Sequence, residues 1–226
     1  MSSFNDADAV AHYAQGPVRQ VPGFHALHRM AELLLAESVP DDGRVLVLGA
    51  GGGLELKAFA DARPGWRFVG VDPSAPMLQL AERTAGAHAS RMDFIHGEID
   101  AAPAGPFDGA TCLLTLHFLT VEQRLHALGQ LRERLKPGAP LVVAHHSIAQ
   151  EPQAKSRWLH RYASFATSSG IAQDAARRAA ESMGSRLPML SPEEDEALLV
   201  RAGFTTPEMF YAAFTFRGWV ARRKDP

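Results

Sequence analysis

A short apolar run at residues 45–48 and largely apolar strand candidates at 68–71, 94–96, 110–114 and 141–144 punctuate the chain, and each is too short for an ordinary helix. Runs that stay apolar without alternating suit strands buried on both faces of a parallel sheet. Between them, residues 54–60, 76–85 and 121–135 carry helical spacing. This alternation of strand and helix predicts an α/β fold with right-handed crossovers. Ahead of the first run, Phe24, Leu27, Met30, Leu33 and Leu34 fall on one helical face, and Pro40-Asp41-Asp42-Gly43 ends that segment. Residues 6–13 suit a short helix, broken by Gly16-Pro17 and Val21-Pro22-Gly23.

After the fifth run the rhythm lapses. Residues 151–187 read as one or two helices with no strand between them, and Trp158, Tyr162 and Phe165 form a stripe at i, i+4 and i+7. Ser191 and Pro192 have the chemistry of an N-cap and a first helical turn. Residues 207–222 read as two strands with a tight connection. The expected architecture is one domain over residues 1–226, with a Rossmann-like, doubly wound, mostly parallel seven-stranded sheet and an antiparallel C-terminal strand. Residues 1–40 form an N-terminal helical lid segment and residues 151–187 a helical cap insertion.

Composition alters this picture little. Apolar residues make up 46% and charged residues 21%, as in ordinary globular chains. With 23 basic against 25 acidic residues, the net charge of −2 gives no reason to expect a nucleic-acid partner. The single cysteine, Cys112, excludes an internal disulfide and suits a reducing compartment. The first ten residues lack a signal peptide's pattern and no apolar run is long enough to span a bilayer, so a cytoplasmic location without a membrane partner is expected.

The informative segment is residues 45–55, an apolar strand running into Gly49-Ala50-Gly51-Gly52-Gly53 and then a helix. Such a turn admits close backbone approach to a ligand and presents free amides at the helix start. Asp72 ends the next strand, where a carboxylate can accept from both ribose hydroxyls of an adenosine. A dinucleotide fingerprint would need glycine or alanine at Leu54, and no Gly-Lys-Ser/Thr follows to make a P-loop.

The turn at Leu48 to Gly53 resembles the first motif of the class I S-adenosylmethionine (SAM) dependent methyltransferases, and Asp72 matches their acidic residue after strand two. Gly97-Glu98-Ile99-Asp100 is similar to their adenine-gripping loop. Phe107-Asp108-Gly109-Ala110, Leu135-Lys136-Pro137-Gly138 and Ala202-Gly203-Phe204 resemble later landmarks, so the likeness covers roughly residues 40 to 222. The resemblance implies a SAM cofactor held by Gly49, Ala50, Gly51, Asp72, Pro73, Met77, Glu98, Ile99, Leu114 and Tyr13. Glu98 would accept from the adenine amino group, and the Ile99 amide would meet the ring nitrogen. Arg19 to Phe24, Thr115 to Leu119 and Phe214 to Gly218 further resemble the carboxy-SAM synthases, which make carboxy-SAM from SAM and prephenate. The chain departs from them at Phe24, where they carry tyrosine, and at Leu113, where they carry asparagine. Their carboxylate-binding arginine has no aligned counterpart, although Arg177, Arg178 and Arg186 lie nearby in sequence. Ordinary methyl transfer from SAM to a small-molecule acceptor is therefore the leading expectation. Carboxy-SAM synthesis and non-catalytic SAM binding are the alternatives.

The candidate general base is His117, just past strand four, with a packing histidine as the plainer reading. His145 and His146 end strand five and point to opposite faces, so at most one faces a pocket, and no metal site is expected. The Trp158-Tyr162-Phe165 stripe suits either core or a homodimer through the cap, with Trp158, His160, Arg161 and Tyr162 as possible acceptor contacts. Cys112 reads as a small buried apolar residue.

Overall fold

A computed structural model describes residues 15–225; Tyr13, His12 and the expected helix at 6–13 lie outside the described residues. Helices α1 (Gln15–Gln20) and α2 (Phe24–Ala36) precede β1 (Arg44–Leu48), α3 (Leu54–Ala62) and β2 (Arg67–Asp72). There follow α4 (Ala75–Ala85), β3 (Met92–His96), β4 (Gly109–Leu113), α5 (Val121–Arg134) and β5 (Pro140–His146). The cap helices α6 (Pro152–Ser168) and α7 (Gln173–Arg186) lead to α8 (Pro192–Arg201), β6 (Glu208–Ala213) and β7 (Phe216–Arg222).

The seven strands take the order β3-β2-β1-β4-β5-β7-β6. The first five pair in parallel; β7 runs antiparallel to β5, and β6 antiparallel to β7. Strand order reverses between β1 and β4, and ligands of open α/β sheets bind at the carboxyl ends of strands beside such a switch point. The two-residue side-chain period divides the core between the faces of the sheet. Val45 and Val47 pack with Leu27, Leu35, Leu56 and Phe59 on the face covered by α2 and α3. Leu46 and Leu48 pack with Leu128, Leu131, Leu198 and Leu199 on the face covered by α5 and α8.

Local chemistry stops and starts these helices. Thr120 and Gln123 form a capping box on α5, and Ser191 and Glu194 another on α8, where Pro192 opens the first turn. The apolar face of α2 is rotated from the expected one. Leu33 is exposed, while Phe24, Leu27, Ala31 and Leu35 are buried, because the buried row follows i, i+3, i+4 spacing through Leu35 rather than Leu33. Residues 151–187 form two helices, which pack closely enough that a side chain at Gly184 would meet Leu159.

Candidate active site

The glycine turn is organised mainly by the protein around it. The amides of Gly49 and Ala50 donate to the Val71 carbonyl, the Gly51 amide to Asp72 Oδ2 at 2.9 Å, and the Gly53 amide to the Ala50 carbonyl. Four amides of this turn are therefore spent internally, whereas the helix that follows has no side-chain cap on its first amides. Two of the glycines serve close packing. A Cβ on Gly49 would fall 2.0 Å from Thr115 Oγ1, and one on Gly53 would fall 2.7 Å from the Ala81 Cα. With φ values of 79° and 80°, both also hold the left-handed conformation that glycine tolerates best. Those four amides are thereby unavailable to a diphosphate, which needs free donors.

Asp72 stands at the carboxyl end of β2, nearly buried. Oδ1 accepts from the Ser74 amide at 2.9 Å and Oδ2 from Gly51. Burial raises its pKa above the ordinary carboxylate value, and those two hydrogen bonds oppose the rise. A carboxylate offers about four acceptor sites, so two remain for hydroxyl donors. Pro73 follows directly, and its carbonyl meets His96 Nε2 at 3.1 Å. Met77 and Ile99 are buried apolar neighbours, and Glu98 is exposed at the N-terminal edge of a 3₁₀ turn. Asp72 ends β2 and Pro73 follows it, Met77 lies in the first turn of α4, and Glu98 and Ile99 follow β3. A groove of about 340 Å³ between α2 and α3 contains none of them, being lined by His28, Glu32, Leu54, Lys57 and Asp61 among others.

On the other side of the switch point, β4 ends at Leu113, one residue sooner than expected. Leu114 takes φ +56°, and its amide donates to the Ala144 carbonyl at 2.5 Å, tying the end of β4 to β5. A leucine in this conformation is strained, and such strain recurs at functional sites.

The loop after Leu114 carries His117 onto His146 of β5, with ring centroids 4.7 Å apart. Tyr162 of α6 meets His146 edge-on at 5.5 Å, and Phe216 stacks on it at 4.0 Å. Both imidazoles are buried. Burial first, then the nearby histidines, holds His117 well below its ordinary pKa and pushes His146 down to about 3.

His145 points to the opposite face and joins Asp195 at 3.2 Å. Asp195 also pairs with Arg124 at 2.6 Å, and Arg124 donates to the Pro188 and Leu119 carbonyls. Burial pushes Asp195 up, but the His145 and Arg124 charges outweigh it and hold the carboxyl below its ordinary value. This buried clamp joins α5, β5 and α8, and the sequence reading did not anticipate it. Residue types alone do not reveal partners 71 positions apart.

The cap stripe is used within the chain. Tyr162 is buried, Phe165 meets Phe214 at 5.7 Å, and Arg161 and Arg217 lie over Trp158 at 4.5 and 5.3 Å. Intramolecular packing thus accounts for the stripe that sequence alone also allowed as a dimer face. His160 is exposed, as are Arg177, Arg178 and Arg186 on α7. Among the described residues no group of three or more histidine, cysteine or acidic side chains has the spacing of a metal site, and no helix is long and apolar enough to cross a membrane. Cys112 is fully buried and its thiol pKa is raised by burial, which makes it inert.

Glu55, the second residue of α3, is the other group that sequence reading passed over. An acid in a first helical turn is ordinarily a solvated favourable charge. Here it is buried, accepts a short hydrogen bond from Thr111 of β4, and has its pKa pushed up by burial to about 8.

A family model described as a methyltransferase domain matches residues 46–141. A carboxy-S-adenosyl-L-methionine synthase from Wolinella succinogenes is 26% identical over 211 residues, covering 92% of this chain and 88% of the relative. An O-methyltransferase family protein from Burkholderia thailandensis shares the fold with a TM-score of 0.72 at 14% identity, over 99% of this chain and 62% of that one. Human N-acetylserotonin methyltransferase, solved in complex with SAM, has a TM-score of 0.67 at 16% identity, over 98% of this chain and 58% of that one. The methyltransferase-domain match spans the glycine turn, Asp72 and β4, and with the sheet order found here the chain is similar in sequence and fold to the class I SAM-dependent methyltransferases.

Proposed function

We propose that the chain transfers a methyl group from SAM to a small-molecule acceptor admitted beneath the α6–α7 cap. The observation that carries this reading is Asp72, held by two backbone amides with acceptor capacity to spare, beside a glycine turn with four of its amides spent internally. That pairing suits an adenosine without phosphates. Gly49, Ala50 and Gly51 would border the ligand's amino-acid end. Pro73, Met77, Ile99 and the Glu98 carboxylate would border the adenine, and Leu114 the far wall. Tyr13, outside the described residues, belongs to the same proposed set. SAM supplies an electrophilic methyl group on a sulfonium. The protein's task is to align a nucleophile, exclude water and receive a proton. His117, packed with His146 under Tyr162 just past the end of β4, is the residue this reading assigns to receive the acceptor's proton.

Carboxy-SAM synthesis is the second reading, favoured by the names of the curated relatives. Against it, Phe24 and Leu113 are buried within the apolar core and the three cap arginines are exposed. An added carboxylate bound without a cationic partner would carry a large desolvation cost.

Mass spectrometry of the ligand carried through purification separates the two, because carboxy-SAM is heavier by one carboxylate. Calorimetry with SAM and NAD, followed by isotopic methyl transfer to a panel of phenols, carboxylic acids and amines, tests the rest. Asp72→Asn is expected to weaken SAM binding about 10- to 100-fold, the worth of one or two charge-assisted hydrogen bonds. Tight NAD binding without SAM binding would refute the proposal, and SAM binding with no methyl product would favour a non-catalytic role.

A further inference from the structure

The groove of about 340 Å³ between α2 and α3 takes no part in the site described above, and its walls are two regular helical stripes. On α2, His25, His28, Arg29 and Glu32 recur at i, i+3, i+4 and i+7. On α3, Leu54, Lys57, Ala58, Asp61 and Ala62 follow the same spacing. Facing helical stripes ordinarily close by interdigitating their ridges. Here Ala58 and Ala62 are too short to fill the space opposite the polar stripe of α2. Arg63, just past α3, donates to Glu32 and ties the two helices together beyond Ala62.

Both acids of the groove are already matched. Glu32 has Arg63, and Asp61 pairs with Lys57 and with His88, each at 2.7 Å. Arg29 has no acidic partner among the described residues, so its guanidinium is the uncompensated charge of the groove. His28 is a second, independent observation. It is only 4% exposed, yet neither ring nitrogen has a hydrogen-bond partner among the described residues. The nitrogens of His145 are sealed from solvent, whereas those of His28 are not, and the space they reach is the groove that His28 lines. Burial, then His25, pushes the His28 pKa down to about 4, so at pH 7 the neutral ring offers one donor and one acceptor. Phe24 packs edge-on against His28 at 4.4 Å and gives the groove an aromatic wall.

We propose that this groove binds a small organic carboxylate with an aromatic or branched apolar body, its carboxylate on Arg29 and His28 and its body against Phe24, Leu54 and Ala58. The planar guanidinium matches the two oxygens of a carboxylate, and one uncompensated cation suits a monoanion. The neutral His28 ring adds a hydrogen bond without adding a buried charge. A cationic ligand would meet Arg29 unpaired and two acids already taken. A mostly apolar hollow with a few convergent polar groups is the ordinary form of a small-molecule site. None of the residues proposed to hold SAM lines the groove, and the inference does not use the methyl-transfer reading.

The test uses the whole chain without SAM. Carbon–proton NMR spectra of histidine-labelled protein at pH 7, assigned by substitution, follow each ring as phenylacetate, cinnamate or isovalerate is added. Saturable shifts of His28 and His25 are expected, with a Kd on the order of 1 mM or tighter for probes this small. The neutral isostere phenylacetamide should bind about 10-fold more weakly than phenylacetate, the worth of one charge-assisted hydrogen bond. Arg29→Gln alters an exposed side chain and should keep the wild-type urea midpoint. It should weaken phenylacetate about 10-fold and erase the preference over phenylacetamide. Ala58→Leu fills the apolar wall and should abolish binding of both; if it fails to fold, Arg29→Gln decides. The absence of saturable His28 shifts with all three carboxylates overturns the proposal. So do shifts confined to His117 and His146, which place the probe elsewhere, and an Arg29→Gln protein that keeps both the affinity and the preference for the anion.

Discussion

Replacing Glu55 by glutamine tests how costly a carboxyl in this core is. The wild-type group is buried under the sheet against Thr111, and burial lifts its pKa from 4.5 to about 8. A raised pKa means that the folded state holds the proton more tightly than the unfolded chain. The associated stability is fully present below about pH 4.5 and is lost as pH rises through about 8. The shift spans roughly 3.5 pH units at about 1.4 kcal/mol each, on the order of 5 kcal/mol in all and about 3 kcal/mol by pH 7. Glutamine keeps the size and the acceptor oxygen without a titrating proton. Glu55→Gln is therefore expected to match wild type near pH 4.5, to exceed it by about 3 kcal/mol at pH 7, and to level off above pH 8. The measurement is urea denaturation of both proteins at matched pH from 4.5 to 9. His28 and His146, with pKa values pushed down to about 4 and 3, oppose this trend, since their stability is lost as pH falls below about 6.5. They act equally in both proteins and cancel in the difference. A difference that stays flat with pH would refute the reasoning, because it would mean that Glu55 is ionised throughout.

Arg124→Leu leaves Asp195 buried beside His145 and frees the Pro188 and Leu119 carbonyls, and is expected to cost about 3–5 kcal/mol in chemical denaturation. A loss under 1 kcal/mol would show that the clamp is not a stabilising element. Gly53→Ala places a Cβ 2.7 Å from the Ala81 backbone at φ 80°, and should cost about 2–4 kcal/mol from strain and overpacking. A thermal midpoint within a degree of wild type would rule out that close approach of α3 to α4.

Much of this molecule was legible in its linear pattern. The apolar runs at 45–48, 68–71 and 141–144 all lie in strands, because a strand buried on both faces leaves an unmistakable local signature. Ser191 and Pro192 announced α8, because a capping box is satisfied within four residues. Asp72 was readable because a strand end after a glycine turn is a position that topology defines. Leu33 was misplaced because two rows of a helix can look equally apolar until a neighbouring layer selects one. Leu114 was assigned to a strand because a left-handed backbone in a leucine has no local cause; it is imposed by the tie to Ala144.

Sequence by itself determined the α/β alternation, the glycine turn, the acid after β2 and the helical insertion, all of which depend on neighbours a few residues away. Only the tertiary structure decided which of three histidines near the strand ends meet. It also decided that Glu55 is buried rather than solvated, and that the Trp158-Tyr162-Phe165 stripe closes on its own chain. The physical reason is common to all of these. A side chain's charge state and partners are set by what surrounds it in space, and residues 29, 56 and 69 positions apart supply those surroundings here.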